Sequence, residues 1–186
     1  MNLTKWKRRF TTKRLVLMGL FVALSYVISF LEFPIFPATP YLKLDFCNVF
    51  ILLPAFLLGP VEGVLVCGLK EILSLIDSSS GGAGEVANFL MTSAYILLPA
   101  ILYQFRKGFK TVACSLAGAC VIGTATALLV NRFIVFPLYM GDAAAGVFSG
   151  AFWFVLAFNL IKTASISVVT VLLYKRLSIF LKKKQI

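Results

Sequence analysis

LVLMGLFVALSYVISFL, residues 15–31, runs for seventeen positions with no charge and no proline. A bilayer's hydrocarbon core is about 30 Å thick and takes about 20 helical residues to cross, so this run reads as a membrane span. It is longer than a usual signal-peptide core, and no A-x-A cleavage site follows it. Six basic residues precede it: Lys5, Lys7, Arg8, Arg9, Lys13 and Arg14. Beyond it the pattern repeats. Apolar stretches at Phe46–Leu58, Pro60–Ile76, Glu85–Phe105, Thr111–Pro137 and Ser149–Tyr174 make six in all, the second being short. The predicted fold is all-α, a polytopic six-transmembrane-helix bundle forming one integral membrane domain. Residues 1–14 are its basic N-terminus, 15–174 its spans and 175–186 its basic tail.

Composition agrees. Of 186 residues 60% are apolar and 13% charged, with mean hydropathy +0.96. A soluble domain needs about twice that charged fraction. What lies outside the spans is too little for a second, water-exposed catalytic module, which excludes an ATPase or a nucleic-acid enzyme on this chain. The formal charge of +11 is therefore a question of membrane orientation. Fourteen of the eighteen Lys and Arg fall before the first stretch, between the fourth and fifth (Arg106, Lys107, Lys110), or after the sixth (Lys175, Arg176, Lys182, Lys183, Lys184). The opposite loops hold Lys43 with Glu32, Asp45, Asp77, Glu85 and Asp142. The positive-inside rule puts both termini in the cytoplasm, as an even span count requires.

Between the first two stretches lies EFPIFPATPYLKLD, residues 32–45, whose three prolines forbid a continuous helix. Its Phe, Leu and Tyr residues predict a loop folded back onto the bundle. A Ser/Gly loop, Asp77–Gly84, follows the third stretch. Cys47, Cys67, Cys114 and Cys120 form no CxxC pair and read as small packing residues. The chain has no histidine, no phosphate-binding loop and no zinc-ligand spacing, so neither an enzyme nor a metal site is expected.

Polar groups inside spans are costly, and each asks for a reason. Glu85 and Asn88, three apart, share a face at the start of the fourth stretch. Asn131 lies roughly 9 Å from the outer end of the fifth; Asn159 and Lys162 lie roughly 15–20 Å below the outer start of the sixth. Three helices thus bring Glu85, Asn88, Asn131, Asn159 and Lys162 into the outer half, with nothing comparable expected in the inner half. As mere glue they would form interhelical hydrogen bonds and one ion pair, Glu85 with Lys162. As a site they suit a ligand that is part flat heterocycle and part polyol. Asn matches a donor–acceptor ring edge, Lys162 can donate to a ring carbonyl, and Glu85 and Asn88 suit hydroxyls. Lys70 and Glu71 are adjacent, and their spacing leaves open whether they face a helix interface or the pocket rim.

Five segments in order, LEFPIFPATPYLKLDF (31–46), LLGPVEGV (57–64), SSSGGAGEVANFL (78–90), NRFIVFPLY (131–139) and FNLIK (158–162), resemble the riboflavin-specific substrate-binding subunits (S components) of energy-coupling factor transporters, over residues 15–177. The resemblance implies six helices, cytoplasmic termini and an outward pocket under the loop between helices one and two. It implies that Asn131, Asn159 and Lys162 hold the isoalloxazine edge. The ribityl chain then lies toward Leu42, Lys43 and Asp45 and toward Glu85 and Asn88. Riboflavin is implied as cargo rather than cofactor. The implied partners are a transmembrane coupling subunit and two ATP-binding subunits, in a bacterial plasma membrane. The family's Ala-xxx-Ala docking surface on the first helix corresponds here to Gly19-xxx-Ala23; packing within the monomer is the alternative for that face. Capture of thiamine, biotin, folate or pantothenate, or a non-transport assembly role, are the competing readings of the whole.

Overall fold

The computed structural model describes residues 11–78 and 81–183, with side chains as far as Tyr174. Expectations resting on Lys5, Lys7, Arg8, Arg9, Ser79, Ser80 and Lys184, or on the side chains of Lys175, Arg176, Lys182 and Lys183, lie outside the described residues. The chain is mostly helical. Helix α1 spans Thr12–Ser29, α2 Cys47–Leu57, α3 Pro60–Ser74, α4 Ala83–Phe105, α5 Phe109–Val130 and α6 Ala144–Lys183. Beyond Val130, α5 continues as a π-helical turn, Asn131–Val135, and one more α-helical turn, Phe136–Met140.

Among the described residues, three stretches are long and apolar enough to cross a membrane: Thr12–Ser29, Ala83–Phe105 and the long run Phe109–Tyr174. The last contains a reversal. Gly141 adopts φ +52°, a conformation open to glycine, and α5 and α6 pack against each other on either side of it. At 11 and 15 residues, α2 and α3 rise about 16 and 22 Å. Both fall short of the core thickness.

α2 sits at the centre, touching α1, α3, α4 and α6. Its sequence, CNVFILLPAFL, is apolar on every side, and nine of its eleven residues are buried, as expected of a helix surrounded by others. Ile51, Leu52, Val66, Ile96, Leu116 and Ile166 close the main core around it. Pro60 at the first turn of α3 loses no intrahelical bond. Gly63 meets Ala55 so closely that an added Cβ would lie 2.5 Å from the alanine Cβ. α2 and α3 therefore form a tight hairpin.

The loop over residues 32–45 folds back as expected. Phe33 and Pro34 pair antiparallel with Leu44 and Lys43. Leu42 and Leu44 then enter a second apolar cluster with Phe136, Phe148, Val155 and Phe158. α6 begins five residues earlier than the apolar pattern predicts and continues through Lys183, because polar residues extend a helix as readily as apolar ones once it has started.

Large apolar side chains face outward around the molecule, among them Val16, Val27, Phe105, Phe133, Trp153 and Leu172. A water-exposed protein rarely leaves so much uncovered, and lipid accounts for it. On α1 the buried residues are Met18, Phe21, Val22 and Ser25. Gly19 and Ala23 lie on the exposed face, and a Cβ built on Gly19 meets nothing within 4 Å. Packing within the monomer therefore does not account for that pair.

The half of the bundle opposite the two loops is not free of buried charge. Glu62, in the first turn of α3, is fully buried with its Oε1 3.6 Å from the Arg14 guanidinium. The expectation of nothing comparable there is corrected. Glu62 sits where a helix N-terminus favours an acid, and Arg14 reaches in from the start of α1. Of the cysteines, Cys47 and Cys67 are buried packing residues, whereas Cys114 is exposed.

Candidate ligand-binding site

A cavity of about 720 Å³ opens at the end of the bundle that carries the 32–45 segment and Asp77. This lies within the range of small-molecule pockets, roughly 300–1,000 Å³. Every site residue named from the sequence lines it: Leu42, Lys43 and Asp45 from the loop, Glu85 and Asn88 from the first turns of α4, Asn131 from the π turn, and Asn159 and Lys162 from α6.

The asparagines are held by their own helices. Asn131 Nδ2 donates to the Ala127 carbonyl at 2.8 Å, and Asn159 Nδ2 donates to Val155 at 2.8 Å. Each bond reaches back four residues and fixes the amide, leaving Oδ1 and one N–H uncommitted. Thr163 Oγ1 donates to the Asn159 carbonyl at 2.7 Å, bracing α6 where the two polar residues project. The π turn begins at Asn131 itself. Such single-turn bulges are common at functional sites.

Lys162 is paired, but not with Glu85. Its Nζ donates to Asp45 Oδ2 at 2.8 Å, while Asp45 Oδ1 accepts the Cys47 N–H at 2.9 Å. The Glu85–Lys162 ion pair that the glue reading called for is thus replaced by Asp45–Lys162. Asp45 satisfies an otherwise unpaired N–H in the first turn of α2 and balances the one ammonium reaching in from α6. Burial alone would raise its carboxyl; the Lys162 ammonium and the Cys47 N–H outweigh burial and lower it to about 2. Lys162 also sits 6.0 Å from the centre of the Phe158 ring.

Several lining residues were missed or undecided in the sequence. Lys70 and Glu71 are both buried, line the cavity, and pair with each other at 3.2 Å. Neighbours on a helix project their Cβ atoms in different directions, yet these long side chains bend to meet. Asn48, on the central helix, accepts from Thr92 Oγ1 at 3.3 Å and from the Cys47 thiol at 3.4 Å. A single Asn in an apolar helix was the available signal for it. Asp77 is more than a turn residue: it lines the mouth and accepts a hydrogen bond from the Tyr26 hydroxyl. Lys43 pairs with Glu32 beside it, both half-exposed, a contact worth about 0–1 kcal/mol.

Five of the chain's seven carboxylates thus line one cavity: Glu32, Asp45, Glu71, Asp77 and Glu85. Three lysines stand among them, each paired. Tyr26, Tyr41, Phe136, Phe158 and Tyr139 supply flat apolar surface. Among the described residues no cluster of three or more His, Cys, Asp or Glu is arranged to hold a metal. The arrangement can grip a neutral, partly aromatic molecule with many hydrogen-bonding groups.

Residues 13–174 match the family model described as "ECF transporter, substrate-specific component". The chain belongs to that family. Its members are substrate-binding transport subunits, and this S component is not an enzyme. It is similar to the riboflavin transporter RibU of Staphylococcus aureus (strain TCH60), with 34% identity over 92% of this chain and 93% of the relative. It is similar also to the riboflavin transporter FmnP of Bacillus subtilis (strain 168), with 30% identity over 93% of this chain and 96% of the relative. Among solved structures, the S component of a bacterial ECF transporter superposes with TM-score 0.80 at 34% identity. That match covers 91% of this S component and 98% of the other chain.

Proposed function

We propose that this S component is the riboflavin-capturing subunit of an ECF-type vitamin importer. The observation that carries the reading is the convergence of Asn131, Asn159 and Lys162 on one wall of a cavity large enough for a flavin. The ring's polar edge alternates carbonyl, N–H and carbonyl. An asparagine Oδ1 accepts from the N–H, and amide N–H groups and the Lys162 ammonium donate to the carbonyls. That ammonium has three donors and gives one to Asp45. The ribityl hydroxyls then face Leu42, Lys43, Asp45, Glu85 and Asn88. The names of the relatives support the vitamin's identity.

In this reading the single membrane domain crosses a bacterial plasma membrane six times. α2 and α3 form a short hairpin pair, and both termini lie in the cytoplasm, on the strength of the charge distribution. The cavity then opens outward. A transmembrane coupling subunit and two ATP-binding subunits drive release inside. The exposed Gly19 and Ala23 on α1 support docking there, since small residues let another helix approach closely. The 32–45 loop is the gate, with the Glu32–Lys43 and Tyr26–Asp77 contacts at its edges.

The test is purification of the chain from cells in mild detergent, with the bound ligand identified by mass spectrometry. Riboflavin is expected, together with tight rebinding after stripping. Occupancy by thiamine, biotin, folate or pantothenate, or a colourless protein indifferent to added flavin, overturns the proposal.

A further inference from the structure

We infer that Glu71 is a further ligand-binding residue, its carboxylate accepting a hydrogen bond from a hydroxyl of the ligand's polyol arm. The assignment rests on the riboflavin reading and adds to it a contact on the α3 wall.

Glu71 is 5% exposed and lines the cavity. Its Oε1 takes the Lys70 ammonium at 3.2 Å, but its Oε2 is buried without any hydrogen-bond partner among the described residues. An ionised carboxylate only accepts, and a buried acceptor left unmade is expensive. Within the protein the surrounding groups do not relieve it. Lys70 is already placed on Oε1. The terminal torsion of a glutamate is broad and soft, so a small rotation presents an oxygen to the space the residue already borders.

The chemistry of the donor follows from the other wall. Asn131, Asn159 and Lys162 come from α5 and α6 and take up the polar edge of the ring. Glu71 stands on α3, which packs on α1, α2 and α4. The donors a flavin retains for this second wall are its hydroxyls. Lys70, placed on Oε1, orients the carboxyl group, and a hydrogen bond to a carboxylate is stronger than one to a neutral amide.

The experiment compares riboflavin with lumiflavin, which has the same ring system with a methyl group in place of the polyol. Both are titrated into the ligand-stripped chain, into Glu71→Gln and into the double variant Lys70→Met/Glu71→Met, which leaves no buried charge alone. The expected result is riboflavin affinity reduced about tenfold or more in each variant, the scale of a charged hydrogen bond. Lumiflavin affinity is expected to change less than about twofold, which also reports an intact pocket. Unchanged riboflavin binding, or equal weakening of both flavins, overturns the assignment. An unmutated chain that binds neither flavin overturns the riboflavin reading beneath it, an outcome distinct from a failure confined to the variants.

Discussion

Lys162 Nζ lies 2.8 Å from Asp45 Oδ2, joining α6 to the start of α2 across 117 positions of sequence. Both side chains are nearly buried, at 14% and 11% exposure. Removing one partner of such a pair costs more than the pair contributes, because the other charge is left unpaired.

Lys162→Ala is therefore expected to weaken riboflavin binding about 10- to 100-fold, losing a donor to the ring and leaving Asp45 alone. Titration by quenching of flavin fluorescence measures it. Helix content by circular dichroism should stay at the unmutated level. An unchanged affinity removes Lys162 from the site.

Asn131→Ala removes an amide whose own helix fixes its direction. A neutral hydrogen bond is worth about 1 kcal/mol, so a loss of about fivefold or more in affinity is expected. Isothermal titration against riboflavin checks it, and the folded fraction should not move.

The depressed Asp45 carboxyl sets a pH dependence. Its folded value of about 2 lies below the unfolded value of 3.8, so its contribution is complete above about pH 4 and is lost as pH falls toward 2. The difference corresponds to about 2 kcal/mol. Thermal unfolding in detergent should show this acid step, and Asp45→Asn should remove it. Between pH 5 and 8 this residue should add no slope.

Two glycines should behave oppositely. Gly63→Ala drives a methyl into Ala55 and is expected to cost about 1–3 kcal/mol through separation of α2 and α3, read as a lower melting temperature. At Gly19 an added Cβ meets nothing within 4 Å, which makes Gly19→Leu the opposite case. It should leave riboflavin binding within about twofold while reducing uptake in cells that carry the whole importer. Normal uptake would detach that face from docking.

Much of this was legible because a membrane makes polar residues conspicuous. Asn131, Asn159 and Lys162 stand out against apolar neighbours, and with Glu85 and Asn88 they line one cavity, whereas Leu42, Lys43 and Asp45 entered only through the family resemblance. The pairing of Lys162 was not legible. Glu85 and Asp45 are both acids beside the same mouth, and only the fold of the proline-rich loop, with its Phe33–Leu44 pairing, brings Asp45 within reach. Lys70 and Glu71 were undecided because helical spacing describes where Cβ atoms point, not where four further bonds carry an ammonium. Glu62 was visible as a residue, but its burial depended on Arg14 arriving from another helix.

The π turn at Asn131–Val135 decides which later residues face the cavity. It accommodates one residue more than a regular ladder. Winding the same residues as an ordinary helix would swing everything after it by about 100°. Val135, Phe136 and Tyr139 would leave the cavity wall they now form, although the hydropathy profile would hardly register the change. The wide turn, as much as the identity of any one aromatic beyond it, therefore sets which side chains line the pocket.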